Sequence, residues 1–244
     1  MKQRIAKKLE TELKSRQPNR KGIKKDQKSR AIRILHLIRS AVHSTTALGM
    51  IRESSNSNPF KILVSTILSQ RTRDSVTEKV SNRLFEKYED VASFANADPD
   101  QLAVDIRPVS FFRQKTKNII ETSRQLIERH QSEVPRTYEE LTELPGVGRK
   151  TAGCVLVYGF GEPAIPVDVH VHRVANRIGL AKTKTPEETE EALTKLYDRK
   201  YWIDINELFV AFGQTVCLPI RPRCKICPVK VTCKYYRENV RGKL

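Results

Sequence analysis

The sequence lacks a long hydrophobic run. No apolar stretch approaches the roughly 20 residues that a membrane-spanning helix needs, and no apolar segment near the start has the form of a secretory signal. Hydrophobic residues make up 39% of the 244 residues, a share typical of a globular protein. The sequence therefore predicts a folded, water-exposed protein with no membrane partner.

Sustained strand-like alternation of polar and apolar residues is also missing. Apolar residues recur at helical spacing instead, as in the run Ile34, Leu35, Ile38 and Val42. Capping side chains stand before several such segments, at Asn58, Asp98, Thr137 and Thr185. We therefore expect an all-α fold with short loops and no internal repeat.

Acidic residues are too few to balance the basic ones. Lys and Arg number 45 against 28 Asp and Glu, which gives a net charge of +17. Residues 1–30 alone hold twelve Lys or Arg and three acidic residues. Such an excess favours a polyanionic partner, and nucleic acid is the leading candidate. A basic ribosome-associated protein remains possible on charge alone.

Five cysteines are present, an odd number that does not suggest a secreted disulfide framework. Cys217, Cys224, Cys227 and Cys233 are separated by six, two and five residues. Zinc ribbons usually present two Cys-x-x-Cys pairs, whereas this segment has one. We therefore favour a [4Fe–4S] cluster held by four thiolates, in a reducing compartment. Cys154 lies among apolar residues and is expected to be a buried, inert thiol.

The segment 141–152 reads LTELPGVGRKTA and predicts two short helices joined by a tight turn. Gly146 and Gly148 leave the backbone of that turn free of bulky side chains. Its amides, from Gly146 through Val147 and Gly148 to Arg149, and the start of the next helix can then face a phosphate. The pattern is that of a helix-hairpin-helix and predicts binding to double-stranded DNA.

The chain resembles the endonuclease III family of DNA glycosylases and lyases. The resemblance is carried by the hairpin with its lysine, Gly146 to Lys150, and by the motif Val167-Asp168-Val169-His170, and it covers roughly residues 29–236. It implies a helix-hairpin-helix glycosylase fold with two domains and a cleft between them. The expected parts are a basic, disordered extension at 1–28, a six-helix barrel at 53–162 that includes the hairpin at 141–152, and a [4Fe–4S] domain at 29–52 and 163–244.

The resemblance also implies a bifunctional enzyme of base excision repair, which excises oxidised pyrimidines and cleaves the strand 3′ to the abasic site. Lys150 is the implied nucleophile, forming a Schiff base with the sugar, and Asp168 assists it. Because an amine attacks only when it is unprotonated, we expect a helix N-terminus and burial to depress the pKa of Lys150. Arg221 and Arg223, beside the cysteines, are expected to contact the DNA backbone, and His170 to be structural.

Two loops match the family's lesion-reading loops. Gln70 and Arg71 lie where the family carries the residue that fills the gap left by the extruded base, and the register leaves either possible. Phe111 matches an apolar wedge, although two adjacent aromatics also suit an ordinary core. Asp74 is expected to shape the pocket or to cap a helix.

Two other functions remain open: a monofunctional mismatch glycosylase of the same superfamily and a non-catalytic helix-hairpin-helix DNA-binding protein. Lys150 argues against the first and Asp168 against the second. We expect a monomer that binds DNA carrying damaged bases or abasic sites. We place it in the cytoplasm with the nucleoid, or in an organelle or the nucleus if the source is a eukaryote.

Overall fold

The computed structural model describes residues 25–42 and 58–242, and within these ranges the secondary structure is helical, with no strand. None of the described helices is long and apolar enough to cross a membrane. The α-helices are α1 (Lys25–Arg39), α2 (Pro59–Ser69), α3 (Asp74–Lys87), α4 (Val91–Ala95), α5 (Pro99–Asp105), α6 (Phe112–His130), α7 (Tyr138–Glu143), α8 (Arg149–Cys154, continued by a π-helical turn at Val155–Gly159), α9 (Val169–Ile178), α10 (Pro186–Leu196), α11 (Trp202–Thr215) and α12 (Lys234–Asn239). A short 3-10 helix (Arg199–Tyr201) lies directly before α11.

Most of the predicted basic extension lies outside the described residues. Residues 1–24 are not described, nor are residues 43–57, where the predicted domain boundary falls, so both stay predictions. Residues 25–28 form the first turn of α1. The ammonium of Lys28 lies 2.8 Å from a carboxylate oxygen of Asp198, and this ion pair ties the turn to the rest of the protein.

The predicted helix starts are confirmed where capping side chains stand before them. Asn58 accepts hydrogen bonds from the amides of Phe60 and Lys61, and Asp98 accepts one from that of Gln101. Thr137 and Thr185 each accept a hydrogen bond from the amide three residues on. These side chains satisfy amides that have no partner within their own helix, so they fix where each helix begins.

Two hydrophobic cores organise the described chain. The first is built by α2 to α8 and contains buried residues from Phe60 to Ala164. The second is built by α1, α9, α10, α11 and the cysteine segment, and contains buried residues from Ala31 to Ile38 and from Ile165 to Cys233. The chain therefore passes from the first core to the second between Ala164 and Ile165. The predicted domain boundaries stay a prediction.

A buried hydrogen-bond chain joins the two cores. The hydroxyl of Tyr158, in the π-helical turn, donates to the side-chain oxygen of Asn206 on α11 at 2.8 Å. The amide of Asn206 donates to the carbonyl of Pro166 at 2.7 Å. Because these polar groups are buried, breaking the chain would leave partners unsatisfied, which fixes α11 against the end of α8.

Candidate active site

A cavity of about 550 Å³ is lined by both predicted catalytic residues, Lys150 and Asp168. It is also lined by residues 69–72 and Asp74, at and just after the end of α2, and by residues 167–170, at the start of α9. Pro186 of α10 and Asn206, Val210 and Gln214 of α11 complete the lining. The structure therefore brings together the amine and the carboxyl that the sequence paired.

Asp168 is held in place by the helix that it precedes. Its Oδ1 accepts hydrogen bonds from the amides of His170 at 2.9 Å and Val171 at 2.8 Å, so Asp168 is the N-cap of α9. One carboxylate oxygen thus fixes the rotamer of a side chain that also faces the cavity. The ring of His170 lies 3.1 Å from the Arg173 guanidinium, as expected for a structural histidine.

Lys150 lies in the first turn of α8 and is only partly exposed. Burial is the largest influence on its ammonium and lowers the pKa. The Cys154 sulfur, which hydrogen-bonds the ammonium, and the carboxylates of Asp168 and Asp74 raise the pKa, and the net direction is upward. The expectation of a depressed pKa was therefore wrong for the protein without DNA, because three negative or acceptor groups surround this amine.

Cys154 is fully buried, as predicted. It lies one helical turn beyond Lys150, on the same side of α8, and burial raises the pKa of its thiol. The two groups act on each other: the Cys154 sulfur raises the pKa of Lys150, and the Lys150 ammonium lowers that of Cys154 against the larger effect of burial. This contact was not predictable from the sequence, because an isolated cysteine among apolar residues usually only packs in a core.

Two side chains of α6, Asn118 and Thr122, contact the hairpin turn. Gly146 has a φ of +78°, and a Cβ built there would come within 2.4 Å of the Asn118 side chain. The Thr122 hydroxyl donates to the carbonyl of Pro145 at 3.0 Å. Val147 is buried in the first core, so its side chain serves packing, whereas a Cβ at Gly148 would meet nothing within 4 Å. Within the turn, the backbone at Gly148 is therefore the part that no other side chain covers.

Arg149, predicted to contact DNA, is engaged within the protein. Its guanidinium forms two hydrogen bonds with the Glu190 carboxylate, at 2.8 and 2.9 Å, and lies over the Tyr138 ring at 4.8 Å. These contacts connect the hairpin to α10 of the second core.

The first lesion-reading loop places its two candidate side chains differently. The amide of Gln70 donates to the carbonyl of Gly146 at 2.8 Å and reaches the Thr151 hydroxyl at 3.3 Å. Arg71 is exposed and has a φ of +53°. Asp74 begins α3 rather than capping it, lines the cavity, and accepts a hydrogen bond from Gln214 at 3.0 Å. The structure thus commits Gln70 to the hairpin and leaves Arg71 at the surface.

The second lesion-reading loop presents Phe111, whose side chain is 63% exposed. The Arg71 guanidinium lies 5.7 Å from the centre of the Phe111 ring, so the two loops meet. Neither Phe111 nor Arg71 belongs to a core cluster. This exposure favours an aromatic that serves a surface over one that serves packing.

Three residues near the cavity were missed from the sequence: Asn206, Gln214 and Lys115. Asn206 and Gln214 are on α11, distant in sequence from the motifs, and no local pattern marks them. Lys115 is 4% exposed and bonds the loop that begins at Leu68. A lysine within a helix is usually exposed to solvent, so the sequence indicated no buried role for Lys115.

All four clustered cysteines line one apolar cavity between α9, α11 and α12. An Nη of Arg177 lies 3.8 Å from the sulfur of Cys217. Burial raises the pKa of Cys227 to about 11 and also raises the pKa of Cys224 and Cys233. Within the described residues, no set of three or more histidine, cysteine or acidic side chains stands in a metal-binding arrangement. Burial favours the neutral form of the Cys224, Cys227 and Cys233 thiols, so a metal centre bound here would have to displace their protons.

Basic residues flank the cysteines at the surface. Arg221 and Arg223 are both exposed, and Arg221 has a φ of +52°. The amide of Arg223 donates to the carbonyl of Val216 at 2.9 Å, which anchors its loop to the end of α11. The predicted DNA contacts are therefore accessible.

A helical fold with a hairpin, a lysine and a carboxylate in one cleft defines a class, the helix-hairpin-helix proteins of base excision repair. The HhH-GPD superfamily of base excision DNA repair proteins matches residues 64–199, more than half of the chain. An endonuclease III of Thermotoga maritima is 48% identical over 193 residues, 79% of this chain and 91% of that protein. One of Rickettsia felis is 38% identical over 186 residues, 76% of this chain and 87% of that protein.

Among solved structures, a trapped covalent intermediate of endonuclease III with DNA superposes with a TM-score of 0.77 at 32% identity, covering 88% of this chain and 99% of that one. The chain belongs to the endonuclease III family of the HhH-GPD superfamily. The predicted fold class and the prediction of a bifunctional DNA glycosylase and AP lyase that binds DNA are confirmed at this level.

The two hairpin glycines allow a first test. Gly146→Ala should destabilise the protein by about 1–3 kcal/mol, because the side chain must adopt a left-handed backbone and displace Asn118. Gly148→Ala should leave the free energy of unfolding within about 0.5 kcal/mol, yet weaken DNA binding, because the new methyl group stands between the backbone and a phosphate. Denaturant unfolding and DNA titration at fixed salt measure both effects. Equal loss of stability in the two variants would contradict this assignment.

Proposed function

We propose that the protein excises oxidised pyrimidines from double-stranded DNA and then cleaves the strand 3′ to the abasic site, with Lys150 as nucleophile and Asp168 as its partner. The observation that carries this proposal is that the Lys150 amine and the Asp168 carboxyl line one cavity. The hairpin that would hold the phosphates lies directly before Lys150 in the chain.

The chemistry begins with loss of a proton from Lys150. In the free protein the net pKa shift keeps this amine protonated, and the Asp168 carboxylate contributes to that shift. Once a nucleotide enters the cavity, Asp168 can accept the proton or stabilise positive charge that develops on the sugar. The amine then bonds to C1′ as the bond from C1′ to the base breaks, and the base leaves with a proton.

Strand cleavage follows from the covalent intermediate. The bond between Lys150 and C1′ becomes an imine when the sugar ring opens, and the imine makes the C2′ proton acidic. Removal of that proton allows the bond from C3′ to its phosphate oxygen to break by β-elimination. Lys150 is released when water hydrolyses the imine. A monofunctional mismatch glycosylase has no need of this lysine, so its position in the cavity favours the bifunctional reaction.

DNA binding is proposed to involve the hairpin, the two lesion-reading loops and the basic residues beside the cysteines. The backbone from Gly146 to Arg149 would bind a phosphate, and Arg221 and Arg223 would bind others. Arg71 is proposed to fill the gap left by the extruded base, because Gln70 is already bonded to the hairpin. Phe111 is proposed as the wedge, since its ring is exposed beside Arg71.

The four cysteines are proposed to hold a [4Fe–4S] cluster. When bound, the cluster supplies the positive centre that keeps the four sulfurs deprotonated. Cys217 follows α11 and Cys233 precedes α12, so a cluster bound to both would tie together the ends of the segment that carries Arg221 and Arg223. The proposed role of the cysteines is thus to fix the position of basic residues for DNA, and the protein is proposed to act as a monomer.

The nucleophile can be tested by reductive trapping. Borohydride should reduce the imine and link the protein covalently to DNA with an abasic site, while Lys150→Ala should form no such complex because the amine is gone. Lys79→Ala, which removes an exposed lysine from α3, is the control for loss of one charge. Efficient trapping by Lys150→Ala would refute the assignment.

Asp168→Asn tests the carboxylate without removing the cap, because an asparagine oxygen can still accept the two α9 amides. Turnover should fall by about two orders of magnitude or more, with DNA affinity and thermal stability nearly unchanged. Because Asp168 raises the pKa of Lys150, the residual rate should begin its rise with pH at a lower pH than in the wild type. Near-normal turnover, or an unshifted profile, would count against the pairing.

The cluster proposal predicts a brown protein with visible absorption and four irons per chain. Replacing Cys227 by Ser should lower the iron content, whereas Cys154→Ser should retain it, because Cys154 lies in the other core. Metal analysis and the absorption spectrum measure this. A colourless protein with stoichiometric zinc would overturn the proposal.

A panel of duplexes, each with one damaged or mismatched base, tests the substrate class. Excision and strand cleavage at oxidised pyrimidines, with little action at thymine or adenine mismatches, is the expected result. Excision of a mismatched base without strand cleavage would favour the monofunctional alternative.

A further inference from the structure

The two lesion-reading loops, residues 69–73 and 109–111, form one unit. The amide of Ser110 donates to the Thr72 hydroxyl at 3.2 Å, and the Arg71 guanidinium lies 5.7 Å from the centre of the Phe111 ring. A shift in one loop therefore moves the other. Any reading of a lesion by Arg71 and Phe111 depends on how firmly this unit is held.

Backbone strain shows that the unit needs support. Arg71 and Phe111 have φ values of +53° and +58°, a left-handed conformation that residues with a Cβ avoid. Such a residue is strained and persists only when its surroundings enforce the conformation. Phe111 is also the N-cap residue of α6, and its side chain makes no capping hydrogen bond, so capping does not stabilise this end of the helix.

Lys115 supports the first loop directly and reaches the second loop only through the Thr72 hydroxyl, which also accepts from the Ser110 amide. It lies in α6, is 4% exposed, and its Nζ donates to the carbonyls of Leu68 at 2.8 Å and Gln70 at 2.5 Å and to the Thr72 hydroxyl at 3.2 Å. An ammonium has three protons, and these three oxygens use all of them. The first two acceptors lie at the C-terminal end of α2, where the helix dipole favours a cation.

Burying the Lys115 ammonium is energetically unfavourable. Burial lowers the pKa of Lys115 to about 8, and no described acidic residue forms an ion pair with it. Buried lysines are rare because desolvation of the charge is unfavourable. An apolar side chain would fill the space but leave two loop carbonyls and the Thr72 hydroxyl without this donor.

We propose that Lys115 is a positioning residue that holds both lesion-reading loops as one rigid unit and so acts on extrusion of the damaged base. This inference rests on the proposed function, because it takes those loops as the lesion-reading element. Lys115 does not line the cavity with Lys150 and Asp168. It should therefore leave the covalent chemistry itself intact.

Two substrates separate extrusion from chemistry. The first is a duplex with one oxidised pyrimidine, whose excision requires the base to leave the helix. The second is a single-stranded oligonucleotide with an abasic site, which reports imine formation and β-elimination without extrusion. Lys115→Met should slow excision from the duplex by about tenfold to a hundredfold, as expected for a misplacement near 1 Å. Cleavage of the single strand should stay within about twofold.

Lys117→Met is the matched control, because Lys117 is an exposed lysine two residues further along the same helix. It removes the same charge and should leave the ratio of the two activities at the wild-type value. As a direct probe of extrusion, 2-aminopurine placed next to the lesion should brighten on binding to the wild type and the control. The brightening should be much smaller with Lys115→Met.

A second pair of variants keeps the test valid if Lys115→Met folds poorly. Thr72→Val removes the hydroxyl that links Lys115 to Ser110 and should slow excision from the duplex, whereas Thr72→Ser keeps that oxygen and should retain the wild-type rate. Equal losses on both substrates, or no loss in Lys115→Met and Thr72→Val, would overturn the inference. A wild type inactive on both substrates would instead refute the proposed function.

Discussion

An amine and a carboxylate that face one cavity are the arrangement on which the proposed activity depends. Neither side chain is placed by chance: Lys150 belongs to the first turn of α8, and Asp168 is fixed by the two amides that it caps. Each helix belongs to a different hydrophobic core. The proposed nucleophile and its partner therefore meet where the two cores adjoin, and the buried hydrogen bond between Tyr158 and Asn206 joins the cores there.

One helix supports most of the proposed DNA-binding elements. Lys115, Asn118 and Thr122 recur along α6 at spacings of three and four residues and so share a face. Lys115 bonds the end of α2, Asn118 packs under Gly146, and Thr122 bonds Pro145. The two proposed lesion-reading loops and the hairpin therefore rest on the same helix. This common support would keep the proposed phosphate and base contacts at a fixed separation.

The sequence predicted features that depend on local chemistry. The hairpin glycines, the Asp168 cap and the cysteine pattern are each recognisable within a short stretch of sequence. The resemblance to a known family indicated that they belong to one protein class. Contacts between distant segments were not predictable: Gln214 bonds Asp74 across 140 positions, and Lys115 bonds Leu68 across 47. The predicted direction of the Lys150 pKa shift was wrong for the same reason, because that shift depends on Cys154, Asp168 and Asp74 together.

The central claim is that one particular amine becomes bonded to the sugar. The most direct measurement is peptide mass spectrometry on the wild-type protein after borohydride reduction with abasic DNA and digestion of both components. The account predicts that the nucleotide remnant is attached to the side chain of Lys150. Attachment to the chain's N-terminal amine, or to another lysine such as Lys115, would contradict it.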